Sequence, residues 1–249
     1  MGRSPRQLQS DQYRFPYHYL VDLEGRRFGS HLGWGLDYAA YMGRALALLE
    51  RHHRDGDVLD LGCGDGFLLN HFARGPAFDG GLRALGIDPD ARAIRFARAF
   101  APEVEGLEFS CREVAELETG AFTTVTLVEV LEHVPDEALP PFTGHVDRVL
   151  APGGTLILTA PSTNLPLLAK HHRHYTAGSL AAHFPGCEVL DRHFLTRRSA
   201  LYHLLSFLLC RLDIGPGPLR RLLLAAFDRR VLKATESTGS RVILVLRKP

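Results

Sequence analysis

Lysine is almost absent from this chain. Lys170, Lys233 and Lys248 are the only three in 249 residues, and the basic side is otherwise arginine. That imbalance reads as coding bias rather than as a phosphate-binding device. An excess of either charge is lacking as well. The formal net charge is +1, so no global field draws in nucleic acid or an anionic membrane. Cysteine is sparse: Cys63, Cys111, Cys187 and Cys210 form no C-x-x-C pair, which implies neither a zinc knuckle nor a disulfide framework. No apolar run reaches the roughly 18 residues that cross a bilayer. Residues 1–15, MGRSPRQLQSDQYRF, lack the apolar core of a signal peptide. A reducing cytoplasm is the expected compartment. There is no internal repeat and no low-complexity tract.

What is present is an ordinary globular composition, 45% hydrophobic and 23% charged, sized for one domain with additions. Residues 1–35 are irregular and rich in aromatics (Tyr13, Phe15, Tyr17, Tyr19, Phe28, Trp34), as in a cap laid on something else. A helix is expected over 36–52. Strands and helices then alternate: strands at 58–61, 83–88, 107–111, 122–130, 155–161 and 188–196, helices at 66–74, 89–101, 136–150 and 176–184, and a last strand, RVILVLRK, at 241–248. Pro89 is placed in the first turn of the second of these helices. Such alternation predicts an α/β fold with a doubly wound, largely parallel sheet. The segment 199–234 interrupts it with two helices around GPGP, the second amphipathic with apolar Leu219, Leu222 and Leu223 set against Arg220, Arg221, Arg229 and Arg230. It suits a hairpin packed on the domain or on a twin subunit, or a contact with a membrane surface or lipid-linked substrate. The expected organisation is a single domain over 1–249: a cap at 1–35, a cofactor-binding core at 36–196, a helical hairpin at 197–236 and a final strand at 237–249.

VLDLGCGDG (58–66) joins a buried strand to a helix, where open α/β sheets bind ligands. Gly62, Gly64 and Gly66 allow a tight turn and close approach of a ligand. A dinucleotide fingerprint needs glycine at 67, where Phe67 stands. Instead Asp60 precedes the loop by two residues and Asp65 lies inside it. They would repel a pyrophosphate but suit a ligand carrying an amine and a sulfonium. Asp88 ends the second strand, where a carboxylate can accept both ribose hydroxyls. Glu113 follows the third, where it could accept from an adenine amino group.

DLGCGDG, GIDPD, EVLEHV and LAPGGTLILTAPS, in that order, resemble the class I S-adenosylmethionine-dependent methyltransferases, and within them the group that includes the ubiquinone-biosynthesis O-methyltransferases. The resemblance covers about residues 36–196 and the last strand. It implies a Rossmann-like seven-stranded sheet whose last strand runs antiparallel beside the fifth. It implies that the methionine part of the cofactor lies over Gly62, Cys63 and Gly64, near Asp60 and Glu129. Asp88 and Pro89 would sit at the ribose, and Glu113 and Val114 at the adenine. S-adenosylhomocysteine would be the product. Thr123 stands where the family more often has an acid, and Glu113 where it more often has Asp.

EVLEHV (129–134) puts Glu129, Glu132 and His133 together. Three roles suit them. His133 is a candidate general base, its ordinary pKa of about 6.5 being close to working pH, with Glu129 beside the transferred methyl. Glu129, Glu132 and His133 are candidate ligands for a divalent metal, with His171, His172 or His174 as a further one. The third role is structural. This layout is also similar to the small-RNA 2′-O-methyltransferases. In KHHRHYT (170–176), Arg173, His174 and Tyr175 are candidate contacts to an acceptor, and Trp34 is a candidate roof over its pocket.

Together these readings predict methyl transfer to a hydroxyl of a small-molecule or lipid-linked acceptor. Metal-assisted RNA 2′-O-methylation is the alternative among enzymes, against which the near-neutral charge weighs. A non-catalytic cofactor-binding module docking a membrane or partner is the alternative outside them.

Overall fold

The computed structural model describes residues 28–78, 81–211 and 217–249, together with residues 4 and 7. The aromatics Tyr13, Phe15, Tyr17 and Tyr19 lie outside them. The first long element, α1, spans Phe28–His52. It begins earlier than expected, so residues 28–35 belong to a helix and not to an irregular cap. Trp34 is on that helix, with its side chain outside the described atoms.

Seven strands form one sheet in the order β3-β2-β1-β4-β5-β7-β6. They are β1 (Val58–Leu61), β2 (Ala84–Ile87), β3 (Leu107–Ser110), β4 (Phe122–Val128), β5 (Leu150–Pro161), β6 (Glu188–Arg197) and β7 (Gly239–Arg247). The strands β1 to β5 pair in parallel, and β7 runs antiparallel to both neighbours, β5 and β6. The short central strands VLDL and ALGI are buried along their whole length, because helices cover both faces. The interleaved helices are α2 (Phe67–Phe72), α3 (Ala91–Phe100), α4 (Leu139–Val149) and α5 (Ala177–Ala181); α6 (Ala200–Arg211) and α7 (Pro218–Phe227) follow β6.

Three boundaries moved for identifiable reasons. Helix α3 starts after Pro89: Asp90 is the better cap, its Oδ1 accepting from the Arg92 amide at 2.8 Å. Strand β4 ends at Val128 because Glu129 turns to φ 57°, a left-handed conformation that a ladder cannot continue. Strand β5 starts at Leu150 rather than 155, since Leu150 already pairs with Phe122 before a register shift.

The parallel pairing brings the carboxyl ends of β1, β2, β3, β4 and β5 to one edge. Leu61 pairs with Ile87, Ile87 with Ser110 and Val128 with Thr159. The start of β7 comes to the same edge, where Pro161 pairs with Arg241. The candidate residues gather there.

Candidate active site

The glycine loop is held against β2. The amides of Gly62 and Cys63 both donate to the Ile87 carbonyl, at 2.8 and 3.0 Å. Gly62 has φ 69° and Gly64 φ 57°, a region cheap only for glycine. A Cβ on Gly62 would lie 2.7 Å from Val130 Cγ2. The loop therefore touches the turn that carries Glu132 and His133. Gly64 donates its amide to Asp88 Oδ2 at 3.1 Å, and Asp90 donates to Asp88 Oδ1 at 2.8 Å. Each carboxylate oxygen keeps lone pairs for two adjacent hydroxyls. Burial, and secondarily the charges of Asp90 and Glu113, push Asp88 up to about 6.

Asp60 is buried beside the loop and accepts from the Thr126 hydroxyl at 2.6 Å. Burial pushes it up to about 7, with Asp88 and Asp65 adding to the effect. Buried acids held so close together favour a cationic neighbour. Cys63 is buried and its thiol is pushed up, first by burial and then by Asp60, so it packs rather than reacts. Pro89 holds a carbonyl against the Cys111 thiol, 3.6 Å away. Glu113 is exposed at the start of a single 3-10 turn, where its amide donates to Glu116 Oε1 at 2.9 Å. Val114 in that turn is buried in the core.

The structure parts the residues of EVLEHV. Glu129 faces β7: its Oε2 lies 2.7 Å from Arg241 Nε, and its Oε1 accepts from Thr159 Oγ1 at 3.0 Å. Arg241 also lies over the Tyr41 ring at 5.3 Å. Glu129, expected as a catalytic or metal-binding group, is thus the partner of a guanidinium. Glu132 is the contrary case. It is 1% exposed and neither carboxylate oxygen has a hydrogen-bond partner. Burial, then the charge of Glu129, pushes its pKa well above the usual carboxylate range. A buried polar group left so costs about 1–3 kcal/mol, more if charged. It therefore carries a proton, or its charge is balanced by a cation: the Lys170 ammonium and the Arg241 guanidinium both act on it, against the effect of burial.

Two histidines complete the setting. His133 Nδ1 lies 3.0 Å from the Lys170 carbonyl, which can only accept, so Nδ1 carries the hydrogen and Nε2 has a free lone pair. That Nε2 is 3.9 Å from Glu132 Oε1. His174 Nδ1 donates to the Leu165 carbonyl at 3.1 Å, leaving Nε2 to accept from His171 Nδ1 at 2.8 Å. The free nitrogen of His171 is then also Nε2. Burial holds His133 down to about 4 and His171 down to about 3, with the neighbouring cationic groups next in effect. Both rings are neutral, as metal ligands must be. One donor atom each from Glu132, His133 and His171 lies within 4.8 Å of the others. Metal bonds of about 2.1 Å keep donors within about 4.2 Å, so the cluster needs to contract by roughly half an ångström.

Arg173 and Tyr175, expected to contact an acceptor, instead brace this turn. Arg173 donates to the Leu131 and Val134 carbonyls at 2.8 and 2.6 Å and pairs with Asp136. Tyr175 is 1% exposed and its hydroxyl donates to the Leu131 carbonyl at 3.2 Å. Their polar atoms are engaged by the carbonyls of the turn, that of Leu131 also accepting from the Val134 amide. His174 orients His171. Sequence reasoning missed Thr126, Thr159 and Arg241; nothing in the pattern of an apolar strand marks which Thr or Arg will meet a distant acid.

A glycine loop over the strand ends, acids at the ends of β1 and β2, and a seven-stranded sheet with one reversed strand define a class I methyltransferase fold. Residues 36–206 match the methyltransferase domain family model, and the chain belongs to that S-adenosylmethionine-dependent family. It is 34% identical over 130 residues to a ubiquinone biosynthesis O-methyltransferase of Paracidovorax citrulli, covering 49% of this chain and 52% of that one. It is 40% identical over 86 residues to one of Albidiferax ferrireducens, covering 32% of each. The chain thus spans about half or less of the length of these curated relatives. The fold is similar to the N-methyltransferase NodS of Bradyrhizobium japonicum solved with S-adenosylhomocysteine (TM-score 0.62, 13% identity, 99% and 100% of the two chains). It is also similar to the 1,6-didemethyltoxoflavin-N1-methyltransferase of Burkholderia thailandensis (TM-score 0.58, 17% identity, 100% and 91%).

Proposed function

We propose that this protein transfers the methyl group of S-adenosylmethionine to a hydroxyl of a small or lipid-linked acceptor, with a divalent ion bound beside the transfer site, in the cytoplasm or at its membrane face. The observation that carries the reading is the buried carboxylate of Glu132, whose oxygens accept no hydrogen bond, beside His133 and His171. The ubiquinone-biosynthesis O-methyltransferase relatives support oxygen over nitrogen as the receiving atom. No feature among the described residues favours an RNA acceptor or a non-catalytic module.

Asp88 would accept the ribose hydroxyls, and the backbone at Gly62 and Gly64 would lie against the methionine part. Asp60 would face the amine cation. Glu113 and Val114 would border the adenine. The cofactor brings its own leaving group, so the chain's work is alignment and removal of one proton. His133 alone is a weak base for that work: at about 4, its pKa lies roughly three units below neutral pH. A divalent ion at Glu132, His133 and His171 would lower the pKa of an acceptor hydroxyl toward neutrality. Glu129, tied to Arg241, fixes the turn on which Glu132 and His133 ride.

The test is methyl transfer from labelled cofactor to matched aromatic acceptors with two adjacent hydroxyls, with one, and with an amine. Transfer to the dihydroxy acceptor, lost with chelator and with Glu132→Gln, is expected. Transfer to the amine alone, indifferent to chelator, would overturn the reading.

A further inference from the structure

Helices α6 and α7 carry a charge and an apolar surface out of keeping with the rest of the chain. Residues 200–232, which contain both helices, hold five Arg against two Asp, a net +3, whereas the whole chain is +1 and the remainder therefore −2. The two helices have their own small core, built from Tyr202, Leu205, Leu209, Phe227 and Val231. That core occupies the inner face. The outer face leaves Leu201 40%, Leu204 53%, Phe207 52%, Leu219 56% and Leu222 67% exposed. On α6 these fall at 201, 204 and 207, three apart, which is one stripe of a helix. On α7 Leu219 and Leu222 repeat the spacing. Arg221, Arg229 and Arg230 are exposed beside them.

We propose that the outer face of α6 and α7 docks on an anionic lipid bilayer. Apolar side chains on a strongly basic amphipathic helix suit the boundary between headgroups and acyl chains. No helix among the described residues is long and apolar enough to cross a membrane, so the contact lies in the plane of the surface. Charge selects the lipid surface over a second copy of this chain: two basic faces repel when the same patch meets itself.

Position gives the contact a use. Strand β6 runs parallel to β1–β5, so α6 leaves the sheet at the edge where the glycine loop and Glu132 sit. Arg198, just before α6, pairs with Asp37 of α1 at 3.0 Å. On that same helix Tyr41 lies under Arg241, the partner of Glu129. Docking would present the acceptor edge to the bilayer, and in that respect the inference rests on the proposed function; the binding itself does not.

The experiment is sedimentation of the full chain with vesicles of phosphatidylcholine alone and of phosphatidylcholine mixed with phosphatidylglycerol. Variants Leu204→Ser/Phe207→Ser/Leu222→Ser and Arg229→Gln/Arg230→Gln are run beside it. S-adenosylhomocysteine titration and analytical ultracentrifugation are made on the same samples. Expected are binding to the anionic vesicles only, weakening with salt, and a drop of about fivefold per arginine removed. The apolar triple variant should lose at least about tenfold while still binding S-adenosylhomocysteine. Equal binding to both vesicles, no vesicle binding, or a dimer dispersed by the triple variant would each overturn the proposal. Vesicle binding without S-adenosylhomocysteine binding would sink the proposed function and leave the docking surface standing.

Discussion

Glu129 Oε2 lies 2.7 Å from Arg241 Nε, which ties the residue after β4 to the third residue of β7. Both side chains are largely buried, at 15% and 13% exposure. Removing one partner strands the other's charge. Arg241→Ala should cost about 3 kcal/mol of stability by denaturant titration. Arg241→Ala with Glu129→Gln should recover most of it. If the single variant is neutral, the pair does not hold the turn.

Asp88 offers a carboxylate pinned by two amides. Hydrogen bonds to a charged acceptor are worth about 1.5–3 kcal/mol. Asp88→Ala should therefore weaken S-adenosylhomocysteine binding by about ten- to a hundredfold in calorimetry. A change under threefold would show that the ribose lies elsewhere.

Asp60, pushed up to about 7, sets a pH dependence. Below pH 7 it is protonated in the empty protein. A cationic amine favours the carboxylate, so binding expels a proton and affinity falls as pH falls below 7. Asp60→Asn should flatten that slope. The empty protein shows the opposite trend: a carboxyl raised above its unfolded value loses its contribution as pH rises through 7. Asp60→Asn should then raise the stability of the empty protein at pH 8, on the order of 2 kcal/mol. Thermal melts from pH 5 to 8, with and without S-adenosylhomocysteine, check both signs.

Gly62 combines φ 69° with a 2.7 Å approach to Val130. Gly62→Ala should destabilise by about 2 kcal/mol or more and weaken cofactor binding. Adding Val130→Ala should relieve the contact but not the backbone strain, so rescue should be partial in a double-mutant cycle. Full rescue would show that the left-handed turn is not required.

The fold was legible because the strands are short, apolar and separated by loops whose residue types carry chemistry. DLGCGDG announces its turn through its glycines, and Asp88 follows a strand four residues long. Apart from element boundaries, what the spacing does not show is long-range. Arg173 and Tyr175 read as a substrate loop because nothing local shows that they will meet the carbonyls of Leu131 and Val134. Glu129 looked like Glu132's equal. Only the arrival of Arg241 from the last strand separates them, and strand order is not written in the spacing. Of the three histidines in KHHRHYT, only the structure distinguishes His171, which meets His133 with ring centroids 4.8 Å apart.

The orientation of His171 by His174 carries its own expectation. His174→Ala should lower metal affinity by about 10- to 100-fold without removing a ligand, and Glu132→Gln should abolish binding. The most direct measurement is calorimetry on chelator-stripped protein, titrated with magnesium, manganese and zinc in the presence of S-adenosylhomocysteine. One ion bound per chain, lost in Glu132→Gln and weakened in His174→Ala while the cofactor product still binds, is the expected result. Tight binding of S-adenosylhomocysteine with no ion taken up by the unaltered chain would contradict it, and Glu132 would then be a protonated acid packed beneath the site.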